Sequence, residues 1–432
     1  MQKNCKCGKK HIFSSRVIVG EGVLSQLPEL LQGYHARKVF LIADRNTYQA
    51  AGKTVQEILV QNGVQMASCV FEEAALEPDE RSVGRAIMYY EPDCDVVIGV
   101  GSGVINDIGK IVANVSGKPY LIVATAPSMD GYASATSSMT RDGLKISLNS
   151  KCADVILGEL DVLCQAPAKM MASGLGDMLA KYVSICEWRI ANLITGEYYC
   201  EDVAQLVRDA LKRCTDNAEG VLKRDKEAVK AVFEGLVIGG MAMAYANVSR
   251  PASGVEHYFS HVWDMRGVEF GTQVELHGIQ CAVATYHAVC LYEIVKKQKP
   301  DYEKASAYVS AFDQPAWEQT LREFLGKSAE AMITLEKQEG KYRKDTHPAR
   351  FRVIAENWER ILQIMDEELP SSEEIATLLE TAGIPRDLPA IGVDAQCART
   401  TFRATKDIRD KYVLSRLAWD LGILDELSEQ IG

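Results

Sequence analysis

Four of the seven histidines in this chain fall between positions 257 and 287. The densest pair lies in Gly254-Val-Glu-His-Tyr-Phe-Ser-His-Val-Trp-Asp264. His257 and His261 are four residues apart, so on a helix they share one face. His277 follows in Leu276-His-Gly278, ahead of another helical run. Imidazoles at such spacing suit a divalent metal, which also takes at least one anionic oxygen. The best donor is Asp177 in Ser173-Gly-Leu-Gly-Asp-Met-Leu-Ala-Lys181, where Gly174 and Gly176 allow a close backbone approach at the expected start of a helix. Asp177 with two histidines supplies the three protein ligands and open position of a catalytic site. The bland alternative is a set of helix-surface histidines and a capping aspartate, and the clustering favours the metal. His287, on the apolar run 282–289, reads as a core or lining residue.

A second chemistry is written in Asp95-Val-Val-Ile-Gly-Val-Gly-Ser-Gly-Val-Ile-Asn-Asp107. A buried strand here gives way to a glycine-rich turn and a helix, which aims backbone N–H groups and the positive end of the helix dipole at one point. That is a phosphate cradle, against the bland reading of a tight turn without a ligand. It is not the usual dinucleotide fingerprint, because no acid ends the next strand, 120–124. The acid placed for an adenine ribose is Asp44, at the end of a much earlier strand. The loop Thr125-Ala-Pro-Ser-Met-Asp-Gly-Tyr-Ala-Ser-Ala-Thr-Ser-Ser138 crowds hydroxyls and Asp130 at a strand's carboxyl end, where α/β sheets bind ligands. Its hydroxyls suit cofactor phosphate or ribose and Asp130 suits a substrate hydroxyl; the bland reading is a polar surface loop.

Short β-rich runs near 38–43, 67–71, 95–100, 119–124 and 154–157 alternate with helical patterns near 47–61, 78–90 and 103–116. Such alternation predicts a parallel sheet flanked by helices. Asp142-Gly143 predicts a small hairpin within 138–147. From 168 onward helical periodicity dominates. The chain is therefore expected to comprise a Rossmann-like α/β domain over 1–165 and an all-helical domain over 166–432. The charged run 337–348 reads as a solvated excursion.

The net charge of −11 argues against nucleic acid and acidic membrane surfaces. No apolar run approaches the roughly 20 residues of a membrane span, the N-terminus is too polar for a signal peptide, and the twelve scattered cysteines suit a reducing, cytoplasmic compartment. Cys5-Lys-Cys7-Gly-Lys-Lys-His11 has half the donors of a zinc knuckle, with no second cysteine pair to complete it.

The segments Thr-Ala-Pro-Ser-Met-Asp-Gly-Tyr-Ala-Ser, Gly-Leu-Gly-Asp-Met-Leu-Ala-Lys, Glu-His-Tyr-Phe-Ser-His and Leu-His-Gly, in this order, resemble the sn-glycerol-1-phosphate dehydrogenases. These belong to the iron-containing alcohol dehydrogenase and dehydroquinate synthase superfamily, and the match runs from about residue 16 to 290. The resemblance implies a dehydroquinate synthase-like fold, with a Rossmann-like N-terminal and an all-helical C-terminal domain. It implies that Asp177, His257 and His277 hold one zinc or nickel ion and that Asp130, Asp177 and His261 touch substrate. It further implies that Gly101, Ser102, Gly103, Val104, Ile105, Thr125, Ser128 and Ser134 touch NAD(P), in a homo-oligomer, a dimer first. The reaction implied is reduction of dihydroxyacetone phosphate, with Asp177 and His261 as catalytic residues and Lys145, Lys181 and Arg250 as cations for the phosphate. About 140 further residues resemble the longer bacterial branch and carry no catalytic motif. Rival readings are a glycerol or simple-alcohol dehydrogenase, a dehydroquinate synthase, or a nucleotide- or metal-binding protein without turnover.

Overall fold

The computed structural model describes residues 3–73 and 75–432. By contacts the chain forms two compact units, Met1–Met178 with Asp209–Asn247, and Leu179–Arg208 with Val248–Gly432.

The first unit is built on a six-stranded, all-parallel sheet. Its strands run in the order Arg16–Gly20, Val155–Glu159, Tyr120–Ala124, Val96–Gly101, Lys38–Asp44 and Gln65–Phe71. Val96–Gly101, Tyr120–Ala124 and Val155–Glu159 are buried along their whole length. That explains their continuous apolar runs, since helices cover both faces of a parallel sheet. The edge strand Arg16–Gly20 is partly exposed and was not among the strands expected from the sequence, although Val17-Ile18-Val19 is a β-branched apolar run. The sheet reverses direction of growth at Lys38–Asp44, which pairs with Gln65–Phe71 on one side and Val96–Gly101 on the other. Its carboxyl edge at that switch is where doubly wound sheets take ligands. The expected hairpin forms between Thr136–Arg141 and Leu144–Asn149, with Asp142 and Gly143 both at positive φ.

Helix Ala168–Leu179 lies against the loop that follows Tyr120–Ala124. Ser173 Oγ donates to the carbonyl of Ser128 at 3.0 Å, and a Cβ at Gly174 would overlap the carbonyl oxygen of Pro127. Gly174 therefore sits mid-helix, where the helix meets the loop backbone, and not at a helix start as the sequence suggested. Lys226–Ala246 packs on the same loop, and a Cβ at Gly240 would lie 2.7 Å from the carbonyl of Asp130.

The second unit is helical. The charged run 337–348 is largely exposed, as expected, but two of its residues, Tyr342 and His347, are buried. Ser328–Glu339 and His347–Glu356 are helices, and the turn between them is anchored inward. The Tyr342 ring lies tilted 4.5 Å from that of Phe312, and its hydroxyl donates to Asp407 Oδ1 at 2.5 Å. His347 Nε2 lies 2.9 Å from the carbonyl of Asp420. These two residues turn inward because remote parts of the chain give each a partner, a buried carboxylate for Tyr342 and a backbone carbonyl for His347.

Two helices, Lys226–Ala246 and His277–Val295, are long and apolar enough to cross a membrane by length and composition, contrary to the reading from sequence. More than half of each apolar window is buried inside the protein, 56% and 72%, as in core helices.

Gly174→Ala is expected to destabilise the chain by about 2 kcal/mol, the cost of overpacking a rigid contact. A fall in the thermal midpoint of several degrees would support this contact; an unchanged midpoint would contradict it.

Candidate active site

The carboxyl edge of the sheet aligns three of the expected cofactor elements. Ala43 pairs with Val100, and Gly101 with Ala124, so Asp44, the Gly101–Gly103 turn and Thr125 follow neighbouring strand ends. The amide of Thr125 donates to the carbonyl of Gly101 at 3.1 Å, which ties the two loops. Helix Gly103–Ser116 starts there, and Ser102 precedes it without a side-chain cap. Its hydroxyl turns away to Ser128 Oγ at 2.5 Å and accepts from Tyr132 at 3.0 Å. Among the described residues the first-turn amides of Gly103, Val104 and Ile105 thus receive no side-chain cap from Ser102, a geometry that can bind phosphate at helix N-termini. Asp44 Oδ1 accepts from the amides of Asn46 and Thr47 at 2.7 and 2.9 Å, so capping holds the carboxylate at the sheet edge. Ser134 Oγ lies 2.9 Å from Thr136 Oγ1.

The same unit joins Asp130 to Asp177. The amide of Asp130 donates to Asp177 Oδ2 at 2.9 Å, and Asp177 is fully buried. This bond positions the loop and the carboxylate together.

In the second unit, His257 and His261 lie on helix Val255–Phe270 and His277 begins helix His277–Val295. The rings of His257 and His277 are 5.1 Å apart, and that of His261 lies 6.4 and 6.0 Å from them. His257 Nδ1 meets Glu256 Oε1 at 2.9 Å. His277 Nδ1 meets Ser260 Oγ at 2.9 Å, and that hydroxyl donates on to Gln280 at 2.6 Å. Each ring is therefore oriented through Nδ1, which is how metal-binding imidazoles are held while Nε2 faces the ion. Burial, then the charges of Arg409, His277, His257 and Lys411, hold the His261 imidazole well below its usual range.

A family model described as iron-containing alcohol dehydrogenase matches residues 18–167. A glycerol-1-phosphate dehydrogenase [NAD(P)+] of Halalkalibacterium halodurans is 33% identical over 300 residues, covering 68% of this chain and 75% of that one. The chain belongs to the glycerol-1-phosphate dehydrogenase family. A member from Geobacillus stearothermophilus aligns over 95% of this chain and 93% of its own length at 27% identity. The fold is shared with glycerol dehydrogenase of Schizosaccharomyces pombe, at a TM-score of 0.63 and 18% identity over 98% of this chain and 92% of that one. The protein is thus an oxidoreductase of the iron-containing alcohol dehydrogenase class.

Within this family frame, several residues at the histidines carried no signal in the sequence. Glu256 is fully buried, and its Oε1 accepts from the amide of Gly254 as well as facing His257. Glu187 accepts from the amides of Val255 and Leu414 at 2.9 and 2.8 Å. Burial, then the charge of Glu256, pushes its carboxyl up. A Cβ at Gly254 would lie 2.6 and 2.7 Å from oxygens of these two acids, so only glycine fits before the histidine helix. Cys281, one turn beyond His277, has its sulfur 3.7 Å from His277 Nε2. Arg250, a sequence candidate for the phosphate, is committed to Glu197 at 2.6 and 2.5 Å and to the carbonyl of Tyr412. Lys181 Nζ donates to the carbonyl of Ala252 at 3.1 Å. Beside it Lys411 Nζ donates to the carbonyl of Ser253 at 2.6 Å and lies 5.5 Å from the Tyr258 ring. Lys145 lies on the hairpin of the first unit.

Glu256→Gln is expected to weaken metal retention by about tenfold or more, because the amide no longer fixes the His257 ring as a carboxylate does. Metal content after graded chelation checks this; wild-type retention would remove Glu256 from that role.

Proposed function

We propose that this protein reduces dihydroxyacetone phosphate reversibly to sn-glycerol 1-phosphate with NADH or NADPH. The observation that carries the reading is the pair of imidazoles, His257 and His277, each oriented through Nδ1, in a chain of this family. Asp177, His257 and His277 would hold one divalent ion, zinc or nickel, following the resemblance in their motifs. Their nitrogen and oxygen donors suit either metal. When bound, such an ion supplies Lewis acidity toward a carbonyl oxygen.

The amides at Gly103, Val104 and Ile105 would receive the dinucleotide pyrophosphate, with Gly101, Ser102, Thr125, Ser128 and Ser134 along the same edge. Asp44 would accept from the adenine ribose hydroxyls and repel a 2′-phosphate, which favours NADH over NADPH. Asp130 would hold a substrate hydroxyl. His261, one turn from His257, would orient the substrate and move a proton to the reduced oxygen. For the substrate phosphate we assign Lys411, a buried ammonium whose one hydrogen bond is to a neutral carbonyl and which has no carboxylate partner among the described residues. Burial, then the nearby charges of Arg250 and Arg409, lowers its pKa to about 7, so an arriving dianion would hold it charged. Following the resemblance, we place the reaction in the cytoplasm and in a homo-oligomer, a dimer first.

Nicotinamide oxidation measured with dihydroxyacetone phosphate, dihydroxyacetone and glyceraldehyde in parallel separates this reading from a simple-alcohol dehydrogenase. Turnover is expected with the phosphate ester alone. Lys411→Met is expected to raise its KM by about tenfold or more and to leave the KM for NADH unchanged, from loss of a charge-assisted bond. Equal rates with dihydroxyacetone would overturn the substrate assignment, and an unchanged KM would overturn the assignment of Lys411.

A further inference from the structure

The turn at the start of the described chain takes no part in the site above. Strands Lys3–Asn4 and Lys10–His11 pair antiparallel, with Lys3 opposite His11. Between them the amide of Gly8 donates to the carbonyl of Cys5 at 3.1 Å, with Gly8 at a φ of +79° that side chains disfavour. The amide of Cys7 lies 3.5 Å from Cys5 Sγ, an N–H···S contact that favours a thiolate. This fold of the backbone brings both sulfurs to the histidine that ends the hairpin.

Cys7 Sγ is 3.4 Å from His11 Nε2, and the donor atoms of Cys5, Cys7 and His11 lie within 4.8 Å of one another. A sulfur and a nitrogen bound tetrahedrally to one zinc ion are separated by about 3.6 Å, given bonds of about 2.3 and 2.05 Å. The hairpin already has that spacing. The His11 ring is buried, and its Nδ1 meets the carbonyl of Tyr245 at 2.9 Å, at the end of helix Lys226–Ala246. That contact fixes the tautomer with Nε2 toward the sulfurs, as expected for a zinc-bound imidazole. Cys5 and Cys7 are partly exposed, which gives an ion a way in, and none of the twelve cysteines is in a disulfide.

We propose that Cys5, Cys7 and His11 bind a structural zinc ion, separate from the metal of the active site, that fastens the N-terminal hairpin to helix Lys226–Ala246. Binding displaces the two thiol protons and leaves two thiolates and a neutral imidazole on the ion. A structural zinc is closed by a fourth donor. Serine replacement of each of the other ten cysteines in turn tests for a thiolate in that position.

Zinc per chain is measured in the full-length protein, in wild type, in Cys5→Ser/Cys7→Ser and in His11→Ala. Each variant is expected to lose one equivalent and to keep its NADH-dependent turnover. Cobalt exchanged into the wild type is expected to give an intense thiolate-to-metal charge-transfer band, and His257→Ala/His277→Ala is expected to retain it. The cobalt spectrum of the wild type stands even where a variant folds poorly. Unchanged zinc content in folded variants, a band lost in His257→Ala/His277→Ala, or a Cys5–Cys7 disulfide in freshly purified protein would each overturn the proposal.

Discussion

The α/β unit depends on a close approach between a helix and a loop. At Gly174 the helix comes so near Pro127 that no side chain fits, and three residues later Asp177 accepts from the amide of Asp130. Ser173 fastens the loop at Ser128, whose hydroxyl in turn holds Ser102 beside the uncapped helix start. One line of contacts thereby runs from the buried carboxylate to the glycine-rich turn. Displacing the helix by even an ångström would move Asp130 and the hydroxyl cluster together, which is how a rigid scaffold holds polar groups in register.

The helical unit solves a similar problem with buried charge. Glu187 and Glu256 sit beneath the start of the histidine helix and accept backbone amides from Gly254, Val255 and Leu414. Leu414 belongs to the region that carries no motif, so that region is built into the floor of the histidine cluster. Two buried carboxylates so close are costly, and the rise in the pKa of Glu187 follows from that cost. They are retained, on this account, because Glu256 orients His257 and Glu187 holds the chain around Gly254.

Much of this was legible in the sequence because the signals were local. Continuous apolar runs marked the buried strands, Asp142-Gly143 marked the hairpin, and His257 and His261 marked one helix face. What escaped depends on contacts between distant parts of the chain. Glu187 and Lys411 reach the histidine helix from about 70 residues before it and about 150 after it, and neither stands in a recognisable pattern. Arg250 looked available because its partner Glu197 is remote in sequence. The turn around Tyr342 looked solvated because its charges are local, whereas its anchors at Asp407 and Asp420 are not. Edge strand Arg16–Gly20 carries the β-branched apolar run Val17-Ile18-Val19 and was therefore legible too, although it is not among the runs picked out from the sequence.

On the proposed function, His257 and His277, the carboxyl edge of the sheet and Lys411 would serve one stereospecific reduction. Its most direct test is the handedness of the product made from dihydroxyacetone phosphate and NADH, resolved by chiral analysis of the phosphate ester. sn-Glycerol 1-phosphate is expected as the single enantiomer. The 3-phosphate, or a racemic mixture, would contradict it.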